Sequence, residues 1–331
     1  MKKKVLVVSS ANPYPIVTSG CERLIMDYQS HLLSDYDVYF LLTRSDGWDP
    51  LALFHQNEPI PGDIAIEKIL AHNFEFALFI GFIGNEFTKQ LVEQIPSFCL
   101  TDIHPRDDLP DNLFKGIMAH LSTSPRKDIL ILGACYNSEI FFKNRQAEEF
   151  ILSVGRIHSD KNQQELVCGY KERIYEKYNL PLYLAGGVDD SDYFIGVNEY
   201  IDNLSVFSTV DPESQQALTG WKSSRQIADL CNRARIFVMA SPKESFCIAL
   251  IEAIACGTTC VINGNYWGFD EADIRPNVYG NTTGKRGSIL DLIDEALSRD
   301  IRIDGSEWVK KYSLKKTKET LLKFIHERLK E

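Results

Sequence analysis

No stretch of the 331-residue sequence approaches the ~20 apolar residues that a membrane-spanning helix needs. No Cys-x-x-Cys pair occurs either. The eight cysteines (Cys21, Cys99, Cys135, Cys168, Cys231, Cys247, Cys256 and Cys260) are scattered, mostly in apolar runs, and read as reduced core thiols of a cytoplasmic protein. An excess of basic charge is also missing: 36 Lys and Arg stand against 46 Asp and Glu, a formal net charge of -10. Residues 1–150 alone hold 13 basic and 20 acidic side chains. That balance argues against a protein whose main task is to coat nucleic acid or an anionic membrane. Beyond Val5-Leu6-Val7-Val8 the chain offers Ser9-Ser10-Ala11-Asn12, not the Gly-x-Gly-x-x-Gly turn a nicotinamide oxidoreductase requires after its first strand. The lysines before that run mimic a secretion signal, but the apolar stretch is too short, and Pro13 and Pro15 follow.

What the sequence does have is repeated alternation of short apolar runs with amphipathic segments. Strands are expected at Lys4–Val8, Val38–Leu42, Phe76–Ile80, Phe98–Thr101, Phe150–Val154, Leu182–Ala185, Arg235–Met239 and Thr259–Ile262. Helices are expected at Gly20–Leu33, Asn85–Gln94, Asn162–Lys177, Ser224–Arg233, Ser245–Cys256 and Ser288–Arg299. Buried strands joined by helical crossovers form parallel sheets, so the fold class is α/β with doubly wound halves. The charged run Lys143–Glu149 precedes a fresh strand and marks the expected border, giving domains 1–146 and 147–312 with a final segment 313–331. Ligands of such folds bind beyond the carboxyl ends of the strands, so the loops after strands carry the candidate sites.

Two loops stand out. Strand Phe150–Val154 runs into Gly155, where a missing Cβ permits a turn or close approach of a ligand. Arg156 and Lys161 follow, one a planar fork and the other a point charge, able to bracket a diphosphate. Solvated surface cations are the plain alternative, but basic groups at a helix start are unfavourable without an anion. The second loop follows strand Arg235–Met239 and carries Glu244, with Glu252 eight residues on. On one helix these carboxylates stand about 12 Å apart along the axis. One can then meet the sugar end of a long ligand and the other a ribose hydroxyl, with a diphosphate over the helix start between them. Alternatively, Glu244 is a helix cap and Glu252 a solvated position.

Taken together, Gly155-Arg156 with Lys161-Asn162, then Leu182-Tyr183-Leu184-Ala185-Gly186-Gly187, then Glu244 to Glu252 leading to Ala255-Cys256-Gly257, resemble the C-terminal half of the retaining glycosyltransferases of family four. The resemblance covers residues 147–265 and implies the GT-B fold, two Rossmann-like doubly wound domains facing across a cleft. It implies that Arg156 and Lys161 contact the donor diphosphate, that Glu244 contacts the donor sugar and that Glu252 contacts the ribose. Gly155, Gly186, Gly187 and Ser245 belong to the same donor-binding motifs, and the backbone amides of Phe246 and Cys247 are implied to hold phosphate.

In the front half, Ser19-Gly20-Cys21-Glu22 takes the place of the family's glycine-rich loop, with Ser where a first Gly is usual. The same residues read as a capping box, leaving Gly20 as a ligand contact or a plain helix start. His104, after strand Phe98–Thr101, takes the place of a family His near the donor sugar. Only the Asn of the family's Asn-Gly-Val-Asp turn survives, as Asn137, while Tyr266 and Trp267 follow Asn263-Gly264 where the family has a Gly-Gly loop. A last helix, Leu314–Leu329, carries Leu321, Leu322, Ile325 and Leu329 at helical spacing, and in the family it returns to the first domain.

The resemblance implies transfer of a sugar from a nucleoside diphosphate, UDP or GDP, to an acceptor hydroxyl of a saccharide, lipid-linked sugar or small molecule, with retention at the anomeric carbon. Arg156, Lys161, Glu244 and His104 are the candidate catalytic residues. The acidic stretch Asp189-Asp190-Ser191-Asp192, which is of Asp-x-Asp form, reads as lying away from the phosphate residues, so no metal or other cofactor is expected. Neither nucleic acid nor more than peripheral membrane contact is expected as a partner. The rivals are a catalytically silent sugar-nucleotide binder and another GT-B enzyme, such as a sugar-nucleotide epimerase.

Overall fold

The computed structural model describes residues 2–11, 25–44, 50–62, 64–80, 86–101, 117–119, 130–131, 135–144, 150–199, 207–208, 222–244, 246–266, 269, 271–282 and 287–330. Its contacts divide the chain into two units, Met1–Cys135 with Leu314–Glu331, and Tyr136–Ser313.

The first unit is built on β1 (Lys4–Ser9), β2 (Asp37–Thr43), β3 (Pro50–His55), β4 (Glu58–Pro59), β5 (Phe76–Ile80), β6 (Ser97–Thr101), β7 (Ile117–Ala119) and β8 (Leu130–Ile131). They lie in the order β4-β3-β2-β1-β5-β6-β7-β8. All neighbours are parallel except β2 with β3 and β3 with β4. The apolar runs are continuous because both faces are covered, and side chains alternate between them. Val5, Val7, Phe40, Leu42, Phe76 and Leu78 share one core with Ile25, Tyr28 and Leu32. Leu6, Val8, Leu41, Ala77 and Phe79 share the other with Ile69, Leu91 and Val92. The last helix, Leu314–Arg328, buries Leu314, Thr317, Leu321 and Ile325 at helical spacing, and its leucines and isoleucine join the first of these cores. His326 meets the Tyr36 hydroxyl at 2.7 Å and Lys318 donates to the Ser34 hydroxyl at 2.8 Å, fixing the helix on this unit.

The second unit holds β9 (Ile151–Val154), β10 (Leu182–Ala185), β11 (Phe207–Ser208), β12 (Ile236–Met239), β13 (Lys243–Glu244), β14 (Cys260–Asn263), β15 (Asn265–Tyr266) and β16 (Tyr279–Asn281). The main sheet runs β11-β10-β9-β12-β14-β16, entirely parallel, and β13 pairs with β15 beside it. Relabelled by order along the chain, that sheet is 3-2-1-4-5-6, the Rossmann arrangement.

Four expectations need correction. The border falls at Cys135/Tyr136, ahead of the charged run rather than within it at 146/147. Phe142 and the first two residues of that run are tied into the second unit: Asn232 accepts from the Asn144 amide at 2.9 Å and donates to the Phe142 carbonyl at 3.0 Å, and Lys143 pairs with Asp304 at 2.8 Å. The segment expected as one helix from Asn162 to Lys177 is broken, with Gln163–Val167 helical, Gly169 at φ +78, and helix resuming after it. The helix expected from Ser245 starts at Ile248, so Glu244 lies on β13 and only Glu252 is helical. Of the cysteines, Cys168 is exposed, since it sits in the turn that breaks the helix.

Candidate functional site

In the second sheet the chain winds outward from β9 through β10 to β11, then restarts beside β9 with β12 and winds the other way through β14 to β16. The crevice of such a sheet opens between the first strands of the two windings, here β9 and β12. The loops beyond these two strands carry Arg156, Lys161 and Glu244.

After β9, Gly155 donates its amide to the Ala185 carbonyl at 3.0 Å, and Ile157 and Val188 form a parallel bridge. The loops after β9 and β10 are thereby laced together. A Cβ on Gly186 would stand 1.9 Å from the Gly155 carbonyl oxygen, so the chain at Gly186 must be glycine to allow the lacing. Gly187 has open space at its Cα and accepts from the Ile157 amide at 2.8 Å. The His158 side chain caps the short turn Ser159–Lys161 by accepting from the Asp160 amide. Asn162 follows at φ 56, a left-handed conformation that asparagine tolerates. Its amide donates to Glu165 and, at 3.3 Å, to the Ala240 carbonyl just past β12, bridging the two sides of the switch point.

Lys161 Nζ donates to Glu244 Oε1 at 2.8 Å, with side chains 21% and 12% exposed. Burial opposes the charge on Lys161, but the attraction and hydrogen bond of Glu244 outweigh it and hold the ammonium above the usual lysine range. Glu244 is itself fixed through its backbone, as β13 pairs Lys243 with Asn265 and Glu244 with the buried Tyr266. Phe246 is 8% exposed; its ring lies 4.4 Å from that of Phe269 and 5.3 Å, edge to face, from that of Tyr312. Cys247 caps the helix Ile248–Ala255 with no side-chain hydrogen bond, and of the first-turn amides Leu250 donates to the Cys247 carbonyl at 3.2 Å. Burial pushes the Cys247 thiol far above the usual range, so it is a neutral core group. Glu252 is buried at 6% within that helix.

Arg156 is held by the protein's own carboxylates. It donates to Asp189 and, at 3.4 Å, to Asp160. This corrects the sequence reading of Asp189 as remote from the phosphate residues: the Ile157–Val188 bridge brings it to Arg156. Loops beyond adjacent parallel strands are neighbours, so the strand order β10-β9 was the signal that could have found it. Phe269 and Tyr312 are likewise site supports that motif spacing did not reveal. Gly20, His104, Ser245 and Trp267 lie outside the described residues. Among the described residues no helix is long and apolar enough to cross a membrane.

Two doubly wound units, the second with an anion-suited switch point, define a GT-B protein. AviGT4, a glycosyltransferase involved in avilamycin A biosynthesis, shares the fold with a TM-score of 0.67 at 15% identity, covering 100% of this chain and 98% of its own. The catalytic domain of starch synthase IV from Arabidopsis thaliana, bound to ADP and acarbose, does so at 0.60 and 8% identity, covering 100% of both. In sequence, the chain is 24% identical over 199 residues to N-acetyl-alpha-D-glucosaminyl L-malate synthase of Bacillus anthracis, an alignment covering 55% of this chain. The match spans 49% of that relative, about half its length. Residues 137–299 match the family model described as glycosyl transferases group 1, which takes in most of the second unit. Through that unit the chain is similar to the group 1 glycosyltransferases.

Proposed function

We propose that the protein is a retaining glycosyltransferase that moves a hexose-type sugar from a nucleoside diphosphate, UDP or GDP, to an acceptor hydroxyl. The observation that carries this reading is the meeting of Lys161 with Glu244, beside Arg156, beyond the two central strands of the second sheet. In it, Arg156, Lys161 and the amides of Phe246 and Cys247 hold the diphosphate and stabilise the charge that grows on it as the sugar departs. Glu244, released from Lys161 by the incoming phosphate, accepts from a donor-sugar hydroxyl, and Glu252 serves the ribose. With two cations and a helix start supplying positive charge, the reaction runs without a metal ion. The departing phosphate takes the acceptor's proton on the face where the acceptor attacks, which gives retention. The acceptor belongs to polysaccharide, glycolipid or glycoconjugate synthesis, and the reaction takes place in the cytoplasm.

The test is a thermal-shift screen of UDP-, GDP-, ADP- and TDP-sugars, followed by product analysis with saccharide and lipid acceptors in EDTA. A ligand that binds only the folded state raises the melting temperature. The reading predicts a shift with at least one donor, lost in Lys161→Ala, and a glycoside of unchanged anomeric configuration. Donor binding without turnover for every acceptor would favour the silent-binder alternative, and no shift with any donor would end the proposal.

A further inference from the structure

Resting on the proposed function, a second role follows from the charges in the donor loops. Arg156 and Lys161 supply two positive charges, and Asp160, Asp189 and Glu244 set three carboxylates on them. The protein's own carboxylates thus outnumber the two cations they meet. Each pair sits where a diphosphate would displace it. Lys161 and Glu244 are largely shielded, whereas Arg156, Asp160 and Asp189 are 37%, 49% and 49% exposed. Asp189 is nevertheless fixed, because its amide donates to the Ile157 carbonyl at 3.2 Å within the laced loops. The Asp190 side chain is engaged elsewhere, accepting from the Tyr193 amide at 2.9 Å as a helix cap. Asp189 is therefore the acidic group of this loop that competes with a ligand for Arg156.

We propose that Asp189 competes with diphosphate for Arg156 and so speeds release of the nucleoside diphosphate product. A sugar nucleotide and a bare nucleoside diphosphate displace the same pairs, but they leave the carboxylates in different states. The sugar of the donor offers a hydroxyl to Glu244. After transfer no sugar remains, so Glu244 and Asp189 both confront the product phosphates and each pulls a cation back. Asp189 lies on the Arg156 side, where no donor hydroxyl is required to satisfy it, so it acts on donor and product alike and keeps both exchangeable. Glu244 adds the discrimination between them.

The test measures binding of UDP, GDP and ADP to the full chain by calorimetry, and dissociation of the tightest of the three by stopped flow. Asp189→Asn keeps the size of the side chain while removing its charge. Competition from an exposed pair of this kind corresponds to up to about fivefold in affinity. Kd for the nucleotide is expected to fall by that factor in Asp189→Asn, with the change in the dissociation rate. Asp189→Glu is expected to stay within about twofold of the starting protein, and Asp189→Ala to follow Asp189→Asn. Thermal melts of each variant verify that it is folded, which the exposure of Asp189 favours. Weaker or unchanged nucleotide binding in both charge-removing variants, with the unaltered protein binding normally, would overturn the proposal by making Asp189 a mere support for Arg156. If the unaltered protein binds none of the three nucleotides at millimolar concentration, the proposed function fails first and the role of Asp189 with it.

Discussion

Replacing Lys161 by Ala has two consequences that can be separated. In the free protein it leaves Glu244, 12% exposed, without the ammonium that lies 2.8 Å away. Stripping a shielded carboxylate of its partner costs about 1–3 kcal/mol, below the larger penalty of a fully buried ion. For a unit the size of Tyr136–Ser313 that corresponds to a melting temperature lower by roughly 3–10 °C. In the proposed reaction it removes one of the charges that would stabilise the departing diphosphate, a loss expected to cost about 100- to 1000-fold in kcat. Adding Glu244→Gln separates the effects. The double variant no longer contains an orphaned carboxylate, so it regains much of the lost stability, yet it regains no activity. Urea titrations and thermal melts of the two single variants and the double supply the stability cycle, and steady-state kinetics supply the other. Purely additive stabilities, with Lys161→Ala melting like the unaltered protein, would refute the reasoning, because the pair would then be loose in solution.

Three further outcomes are expected. Gly186→Ala pushes a methyl onto the Gly155 carbonyl at 1.9 Å, so the laced loops must part; donor binding is lost, and the urea midpoint falls by an amount equivalent to about 2 kcal/mol or more. Phe246→Ala empties a ring site bounded by Phe269 and Tyr312, costing about 3 kcal/mol and raising the donor KM more than it lowers kcat, as read from denaturation and kinetics. In the native protein a thiol reagent modifies Cys168 promptly, whereas Cys99, Cys135, Cys231, Cys247, Cys256 and Cys260 react only on unfolding; labelling followed by peptide mapping reads this directly.

The parallel cores were legible because a strand covered on both faces is apolar along its centre, as in Val5-Leu6-Val7-Val8 and Phe76–Ile80. The antiparallel hairpin Pro50–His55 with Glu58–Pro59 was not. Proline at a strand's start or on an edge strand lowers strand signals, and the turn residues Gln56 and Asn57 adopt positive φ without a glycine to announce it. At the site, Gly155, Arg156, Lys161 and Glu244 could be picked out because each sits within a few residues of an apolar strand. The helix after Glu244 was drawn too early, since the extended Cys247 caps it and Phe246 packs among aromatic rings ahead of it. The hold of Asp189 on Arg156 joins residues 33 positions apart through a bridge between loops, which no local pattern encodes.

The most direct measurement is a crystal structure of the protein soaked with the sugar nucleotide, or nucleoside diphosphate, that raises its melting temperature most. The account predicts phosphate oxygens within hydrogen-bond reach of Arg156 and Lys161, at the start of helix Ile248–Ala255, with Lys161 parted from Glu244 and Arg156 from Asp189. A ligand bound elsewhere, with both of those ion pairs intact, would contradict it.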